Sequence, residues 1–372
     1  MDLTQLAAEL SEAPVRRRIG RVLRAGHGAL EIEGLAPVAR LGDQVTVTPP
    51  DADRADRADL ADPHDPRARE PVRGEIIALE GGLARAMTYG DAAGVGLGDH
   101  AELAPDPGPR PCPGWIGRVV DAFGRPLDGR PLPQGAPTPL QRPSTSPMAR
   151  RRTGARLATG LSVFDALLPL VRGQRLGLFA GSGVGKSSLL ARLAKGLEAD
   201  HVVIALIGER GREAREFVED TLGPDGLARS IVVCATSDRS PLEKRRAAWT
   251  ALAAAEHLRD SGAHVLLLMD SVTRVAEAHR EVALTAGEPP SLRAYPPSTS
   301  ALLARLAERA GPGPEGAGDI TAVFSVLVAG SDMEEPIADM TRGLLDGHVV
   351  LSREIAERGR FPAVDLGRSV SR

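Results

Sequence analysis

The sequence is poor in cysteine, in aromatic residues and in long apolar runs. Its 372 residues include two cysteines, Cys112 and Cys234, which are too few for a disulfide framework and fit a reducing cytosol. Aromatic residues make up 3% of the chain, so stacking on single-stranded nucleic acid cannot be widespread. No run of about 18 consecutive apolar residues occurs, which predicts that no helix of this sequence spans a membrane.

An excess of charge is also missing, because 46 Lys+Arg stand against 49 Asp+Glu and the net charge is −3. This balance argues against a protein that generally coats nucleic acid. Lysine is rare among the basic residues, since Lys186, Lys195 and Lys244 are the only ones. Where lysine does occur, the question is what its compact ammonium group does that an arginine guanidinium cannot.

The first part of the chain predicts a short helix and then a small β-barrel. Residues 1–18 form the predicted N-terminal amphipathic helix, because apolar residues recur at helical spacing from Leu3 to Leu10. This helix fits either a frayed, solvated terminus or a docking helix for a partner or an anionic membrane surface. In residues 19–104, short β-prone runs separated by glycines favour a small β-barrel. Residues 51–70 are mostly small or charged, and we interpret them as a loop inserted into this barrel.

The second part of the chain alternates strands and helices. Residues 105–153 contain two irregular Pro-rich stretches and are interpreted as a connector and covering segment between two domains. Over residues 154–372, apolar strand runs are separated by helical stretches, which predicts a mainly parallel sheet covered on both faces. The predicted fold class is therefore α/β, with an N-terminal small β-barrel followed by a domain with a mainly parallel sheet.

Residues 180–187, AGSGVGKS, have the pattern of a phosphate-binding loop between a strand and a helix, with alanine in place of the usual first glycine. The glycines let backbone N–H groups surround phosphate oxygens, and the following helix directs its positive end at them. Lys186 is expected to reach the β and γ oxygens of a nucleotide, and Ser187 to offer its hydroxyl to Mg²⁺. The residues predicted to bind the nucleotide here are Gly181, Ser182, Gly183, Val184, Gly185, Lys186, Ser187 and Ser188.

Two carboxylates follow apolar strands, at the sheet edge where parallel sheets bind ligands. Asp270 ends the run VLLLMD, and its expected role is to hold Mg²⁺, with capping of the next helix as the alternative. Glu209 follows VVIALIG and could polarise an attacking water, although the many Glu and Arg residues of 209–216 equally favour a salt-bridged helix start. Arg210 and Arg274 stand at matching strand ends and could contact phosphates, but a single arginine there is more often a surface residue.

Several strings together resemble the flagellar and type III protein-export ATPases, which are similar to the catalytic and regulatory subunits of rotary ATP synthases. These strings are FAGSGVGKSS, ALIGERGREAREF, LLLMDSVTRVAEAHREVALTAGEPP, AYPPS and EEPIADMTRGLLDGHVVLSREIAERGRFPAVD. The resemblance runs from about Gly20 to Arg372. It implies a RecA-like ATPase domain over residues 154–372 that hydrolyses ATP with Mg²⁺ to energise protein export.

The resemblance also implies roles that spacing alone cannot give. Glu209 matches the catalytic glutamate, Arg210 matches the arginine beside it, and Arg274 matches a phosphate-facing arginine. Phe361, in RFPAVD, matches the aromatic residue that stacks on adenine, where most relatives have tyrosine. Arg372, in SVSR, matches the arginine finger that reaches into the neighbouring subunit's site.

An arginine finger of this kind requires a ring, so the resemblance implies a homohexamer with sites between subunits. It further implies a regulatory, stator-like partner at the N-terminal helix, a central stalk, export-gate proteins and chaperone–substrate complexes, and no nucleic acid. The implied location is cytoplasmic and peripheral at the inner face of the cell membrane.

The sequence departs from the family pattern at three places. They are the 51–70 insertion, the polar residues 298–300 after AYPP, and Arg372, beyond which relatives continue into a C-terminal helical domain. Because that domain supplies one side of the adenine pocket, we expect the 372 residues to bind ATP weakly, assemble poorly and hydrolyse it slowly.

Three other functions stay open at this point. A type III virulence-secretion ATPase would share the same motifs. A non-catalytic ring subunit would keep the phosphate-binding loop but lack the catalytic carboxylate, so Glu209 argues against it. An RNA-translocating hexamer needs stacking aromatic residues in its N-terminal domain, where residues 1–104 contain only Tyr89.

Overall fold

A computed structural model describes residues 17–26, 28–48, 70–291, 294–328 and 333–371. Most of the predicted N-terminal helix, the 51–70 insertion up to its last residue, and Arg372 lie outside the described residues. The chain divides into two compact units. The first consists of residues 1–106 with 285–287, and the second of residues 107–284 and 288–372.

The first unit contains a closed antiparallel barrel, as its alternating runs predict. Its strands, in chain order, are β1 (Arg18–Gly26), β2 (Ala29–Glu33), β3 (Gln44–Thr48), β4 (Val72–Glu80), β5 (Leu83–Thr88) and β6 (His100–Ala104). They pair in the order β1-β2-β5-β4-β3-β6, and β6 closes the barrel on β1. Gly81 and Gly82 form the β4–β5 turn with φ of +59° and +80°, values that a two-residue hairpin turn requires and that glycine adopts without strain.

The second unit is built on a mainly parallel sheet, which confirms the predicted fold class. Its strands are β7 (Arg118–Val120), β8 (Arg175–Ala180), β9 (His201–Ile207), β10 (Ser230–Ala235), β11 (His264–Asp270), β12 (Gly311–Pro312), β13 (Asp319–Leu327), β14 (Gly347–Leu351) and β15 (Val370–Ser371). The sheet order is β15-β14-β8-β13-β11-β9-β10-β7, with β12 paired to β13. The segment 105–153 supplies β7, which runs parallel to β10 at one edge of the sheet.

Helices cover the sheet on both faces. In chain order they are α1 (Lys186–Gly196), α2 (Gly211–Glu216), α3 (Gly223–Ala228), α4 (Pro241–Asp260), α5 (Val272–Thr285), α6 (Ser298–Arg309), α7 (Pro336–Leu344) and α8 (Arg353–Glu357). Short helical turns of other geometry occur at Pro113–Trp115, Val163–Leu167, Phe217–Leu222 and Leu366–Arg368. In the part of the chain that the structure describes, no helix combines the length and the hydrophobicity of a bilayer span.

The apolar run of β11 shows how the sheet is held between its two helical layers. Leu266 and Leu268 pack into the core on one face, and Leu267 and Met269 pack into the core on the other. All four side chains are fully buried, and each contributes about 2 kcal/mol of hydrophobic stabilisation. Burial on both faces explains why the strand reads as a continuous apolar run rather than an alternating one.

The order of the central strands decides which side chains meet. Strand β13 lies between β8 and β11, and β9 lies on the far side of β11. These four strands are parallel, so their carboxyl ends share one edge of the sheet. The phosphate-binding loop follows β8, Glu209 follows β9 by two residues, and Asp270 ends β11. The chain therefore brings its predicted site residues to a single edge.

Candidate active site

The phosphate-binding loop connects β8 directly to α1. Gly183 and Gly185 adopt φ of +76° and +86°, left-handed values that let the loop curl back over the first turn of the helix. Helix α1 begins at Lys186 and presents its unpaired backbone N–H groups to the same space. The Val184 side chain, 2% exposed, packs in the core beneath the loop, so only its backbone is available to a ligand.

Lys186 lies between the two predicted carboxylates. Its Nζ donates to Asp270 Oδ1 at 2.5 Å and to Glu209 Oε1 at 3.4 Å. The Asp270 side chain is 3% exposed and that of Glu209 is 24% exposed, so one carboxylate is enclosed while the other still reaches solvent. A lysine at the start of a helix and two carboxylates at strand ends, from three different parts of the chain, thus form one charged cluster.

A hydroxyl that the sequence did not single out completes this cluster. Ser325, two residues before the end of β13, donates through Oγ to Asp270 Oδ1 at 2.5 Å. Ser325 is fully buried, and its only sequence signal is a polar residue among the apolar residues AVFSVL. Its partner lies 55 residues away in the chain, so the strand order is needed to find the contact.

The alternative role of Asp270 as a helix cap is taken by its neighbour. The backbone N–H of Arg274 donates to Ser271 Oγ at 3.4 Å at the start of α5. The Asp270 carboxylate is instead bonded to Lys186 and Ser325. Its geometry is that of a group held at the bottom of a binding site.

Glu209 belongs to the charged cluster rather than to the surface ion pairs that follow it. The next charged residues pair among themselves, Arg210 with Glu213 at 2.8 Å and Arg212 with Glu216 at 3.7 Å. Burial raises the pKa of Glu209 above its usual range, against the attraction of the Lys186 ammonium. Glu209 is thus a partly buried carboxylate with raised proton affinity beside the phosphate-binding loop.

Arg274 packs on a glycine next to Glu209. Gly208 has φ of +75°, and a Cβ at that position would lie 2.9 Å from Arg274 Cγ. The glycine therefore leaves room for the arginine, whose Nη1 bonds Glu277 Oε2 at 2.8 Å. Arg274 also lines a second cavity of about 410 Å³ together with Tyr295.

Most residues of the phosphate-binding loop, with Glu209, Arg210 and Arg274, line one cleft of about 550 Å³ at the carboxyl edge of the sheet. Its lining consists of Gly181, Ser182, Gly183, Gly185, Lys186, Ser187, Ser188, Gly208, Glu209, Arg210, Glu213, Ser237, Arg274 and Leu327. Ser187, Glu209 and Asp270 also share a smaller cavity of about 190 Å³. A volume of several hundred cubic ångströms suits a nucleotide-sized ligand.

Phe361 lies at the rim of this site, beside the phosphate-binding loop. Its ring is 61% exposed, and a Cβ built on Gly185 would lie 3.3 Å from its Cδ1. Arg353, which sequence reasoning missed, donates from Nη2 to the Ser182 carbonyl at 3.4 Å. The predicted finger Arg372 lies outside the described residues.

Comparison with known proteins agrees with this architecture. The family model of the ATP synthase alpha/beta family, nucleotide-binding domain, matches residues 160–371. The flagellum-specific ATP synthase of Caulobacter vibrioides is 52% identical over 312 residues, 82% of this chain and 70% of that protein. The type 3 secretion system ATPase of Xanthomonas euvesicatoria is 44% identical over 381 residues, 99% of this chain and 79% of that protein.

A solved structure extends the likeness to three dimensions. The assembled ATPase EscN of the enteropathogenic E. coli type III secretion system, in complex with its central stalk EscO, gives a TM-score of 0.81 at 36% identity. The match covers 95% of this chain and 80% of that one, so both the barrel and the parallel-sheet unit have counterparts. The chain therefore belongs to the ATP synthase alpha/beta family, among the flagellar and type III protein-export ATPases.

Proposed function

We propose that this protein is a ring-forming, Mg²⁺-dependent ATPase that energises protein export through a flagellar-type apparatus. The observation that carries the proposal is the meeting of Lys186, Glu209 and Asp270 over the phosphate-binding loop. A phosphate-binding loop alone would support nucleotide binding. A partly buried carboxylate placed beside it supports hydrolysis.

The proposed roles follow from the chemistry of each group. Backbone N–H groups of the loop and the Lys186 ammonium bind the β- and γ-phosphates. Glu209 orients and polarises the attacking water, a role that suits a carboxylate whose pKa burial has raised. Arg210 and Arg274 line the same cleft and stabilise negative charge on the phosphates.

The donor set fits Mg²⁺. Among the described residues, no group of three or more His, Cys, Asp or Glu side chains could hold a metal ion by itself. Mg²⁺ in nucleotide sites is bound by one or two protein oxygens together with phosphates and water, and Ser187 and Asp270 offer such oxygens in one small cavity. When bound, Mg²⁺ neutralises developing charge on the phosphate oxygens.

The ring and its partners are proposed from the resemblance and from the assembled relative. EscN is described as an assembled ATPase and in complex with its central stalk EscO. We extend this to a homohexamer in which Phe361 stacks on adenine and Arg372 reaches the neighbouring subunit's nucleotide. The further proposed partners are a stator-like protein, export-gate proteins and chaperone–substrate complexes at the inner face of the cell membrane.

A virulence-secretion ATPase is the second candidate, because relatives of both kinds match nearly the whole chain at 44% identity. The chemistry would be identical and only the apparatus would differ. Restored swimming when this gene replaces a flagellar export ATPase gene favours the flagellar assignment. Restored secretion only in an injectisome mutant favours the other.

The deciding experiment for hydrolysis is Glu209→Gln, with Glu219→Gln as the matched control outside the lining of the cleft. Glutamine keeps the size of Glu209 and removes its charge, so we expect hydrolysis to fall by about 10²–10³-fold while nucleotide affinity stays within about threefold. Glu219 pairs with Arg215 at the surface, and its variant should keep turnover within about twofold. Near-normal turnover in Glu209→Gln would show that the protein binds nucleotide without using this carboxylate.

A further inference from the structure

Ser325 occupies a strand position that only the sheet order makes important. Strand β13 separates β8, which leads into the phosphate-binding loop, from β11, which ends at Asp270. Ser325 is paired with Leu178 of β8, and Phe324 is paired with Met269 of β11, so Ser325 is level with Asp270. A side chain at this position lies between the strand that leads to Lys186 and the strand that ends at Asp270.

The surroundings of Ser325 are apolar apart from that cluster. Its strand neighbours Phe324 and Val326 are 2% and 0% exposed, and Ser325 itself is fully buried. A buried hydroxyl is costly unless it is hydrogen-bonded. Its proton goes to Asp270 Oδ1 at 2.5 Å, the oxygen that also accepts from Lys186 Nζ at 2.5 Å.

Two donors on one oxygen restrict the carboxylate more than one donor would. An ammonium group has three protons and no preferred plane, so Lys186 alone lets the Asp270 carboxylate turn and present either oxygen. A serine hydroxyl fixed on a buried strand bonds a single position. Turning the carboxylate would break the Ser325 bond inside an apolar core, where no water replaces it.

We propose that Ser325 is a positioning residue that holds Oδ1 of Asp270 through its own hydroxyl and keeps Oδ2 for the Mg²⁺ of the bound nucleotide. The inference rests on the proposed function, in which Asp270 serves that ion. Groups that orient a metal-binding side chain typically change metal affinity by about 10–100-fold when they are removed. The hydroxyl should therefore set Mg²⁺ affinity and leave metal-free nucleotide binding nearly unchanged.

A purely structural role for Ser325 predicts a different outcome. If the hydroxyl only fills a polar gap in the core, its removal lowers stability and affects nucleotide binding equally with and without Mg²⁺. Ser230 provides the matched control, since it is also fully buried on a strand of the same sheet, and its Oγ donates to the Gly226 carbonyl at 2.6 Å. Ser230→Ala removes a hydroxyl of equal burial that has no contact with the cluster.

The experiment compares the parent chain with Ser325→Ala, Ser325→Thr and Ser230→Ala. A fluorescent methylanthraniloyl-ADP is titrated in EDTA, then MgCl₂ is titrated into the saturated complex, and thermal unfolding of each protein is recorded. We expect Ser325→Ala to raise the half-saturating Mg²⁺ concentration by about tenfold and to change affinity in EDTA by less than about twofold. Threonine restores the hydroxyl, and Ser325→Thr should return to within about threefold of the parent.

Other results contradict the proposal in distinguishable ways. An unchanged Mg²⁺ midpoint in Ser325→Ala, or an equal shift in Ser230→Ala, assigns Ser325 a structural role. A Ser325→Thr protein with parent-like unfolding but no recovery of the midpoint also overturns it. If the parent itself binds the nucleotide without any Mg²⁺ dependence, the proposed function fails together with this inference.

Discussion

The two edges of the parallel sheet both carry buried charge, but they use it differently. At the carboxyl edge, the single ammonium of Lys186 lies between Asp270 and Glu209 in an open cleft. At the amino edge, Asp319 at the start of β13 accepts from Arg151 at 2.7 Å and from Arg172 at 2.5 Å. The first arrangement places Lys186 and Glu209 on an open cleft, and the second joins a buried carboxylate to two arginines.

Arginine suits the amino edge because its planar group bonds several acceptors at once. Besides Asp319, Arg151 donates to the carbonyls of Gly313, Ala317 and Gly318. Such a network connects the strands to the loops that precede them. Lysine suits the carboxyl edge because a compact ammonium can transfer its bonds from carboxylates to phosphate oxygens. Lysine is rare in this chain, and Lys186 is found at the edge where an ammonium group suits better than a guanidinium group.

The largest change in stability is expected when one partner of a buried ion pair near the amino edge is removed. Arg309 bonds Glu256 through Nε and Nη2, each at 2.8 Å, and both side chains are at most 3% exposed. Arg309→Met leaves the buried Glu256 carboxylate with only the partly exposed Arg142, 3.8 Å away, so we expect the free energy of unfolding to fall by about 3 kcal/mol. Urea unfolding measures this, and nucleotide affinity of the folded protein should not change.

The matched control replaces both members of that pair. Arg309→Met with Glu256→Leu removes both charges, and we expect it to recover most of the lost stability. If the double variant is as unstable as Arg309→Met, the pair stabilises the fold through packing rather than through charge.

The corresponding change at the carboxyl edge should affect chemistry more than folding. In the proposed function Lys186 binds the transferring phosphate, so we expect Lys186→Ala to lower hydrolysis by about a hundredfold, about 3 kcal/mol of transition-state stabilisation. Steady-state ATP hydrolysis measures this effect. Lys195→Ala is the control, because Lys195 bonds only the Thr221 carbonyl at the surface of α1 among the contacts described.

An equal loss of hydrolysis in Lys186→Ala and Lys195→Ala would contradict a specific role of Lys186 in hydrolysis. If Lys186→Ala lowered the free energy of unfolding as much as Arg309→Met, charge at the carboxyl edge would serve folding as much as charge at the amino edge does. Both results are accessible from the same purified proteins.

A smaller effect is the pH dependence of stability that one of two buried histidines, His279, should cause. His264, at the start of β11, lies 2.8 Å through Nε2 from Thr321 Oγ1, and His279, in α5, lies 2.8 Å through Nε2 from Ser298 Oγ. Ser298 Oγ donates to Glu288 Oε2 at 2.5 Å, so His279 Nε2 carries the proton that Ser298 accepts. The buried Nδ1 has no hydrogen-bond partner for a second proton.

Burial therefore lowers the pKa of His279 to about 4, and the charges of Arg245 and Arg305 act in the same direction against that of Glu288. The unfolded chain then takes up this proton first, so stability is complete above about pH 6.5 and is lost as the pH falls towards 4. Between pH 7 and 5 we expect the parent to lose about 2 kcal/mol more than His279→Gln. Parallel pH curves for the two proteins would contradict the lowered pKa.

The sequence predicts the polar groups at strand ends better than those inside strands. Asp270 and Glu209 each follow an apolar run, and because parallel strands share a carboxyl edge, their proximity could be expected before the structure was known. Ser325 could not be found in this way. Its contact depends on β13 lying between β8 and β11, and neither hydrophobic pattern nor motif spacing encodes the lateral order of strands. The roles of the site residues stay predictions until the variants above are measured.

The barrel was predictable for a related reason. Its buried residues alternate along the strands, and two of its pairings, β1–β2 and β4–β5, are hairpins between strands that follow each other closely in the chain. In such a hairpin, the alternation of buried residues and the strand pairing both involve residues that are close together in the chain. In the parallel sheet, by contrast, the segment 105–153 places β7 beside β10, more than a hundred residues further along, and its own sequence shows only a short apolar strand.

The lateral position of β8 has a consequence for synthesis of the chain on the ribosome. The two neighbours of β8 are β13 and β14, which both emerge long after it, whereas β9, β10 and β11 pair with one another as soon as Asp270 has been made. Pairings between distant segments form late because loop closure must precede them. The strand that supports the phosphate-binding loop is therefore the last of the central strands to gain its neighbours. A nascent chain acquires its carboxylates in place first and its capacity to bind nucleotide only after β13 and β14 have emerged.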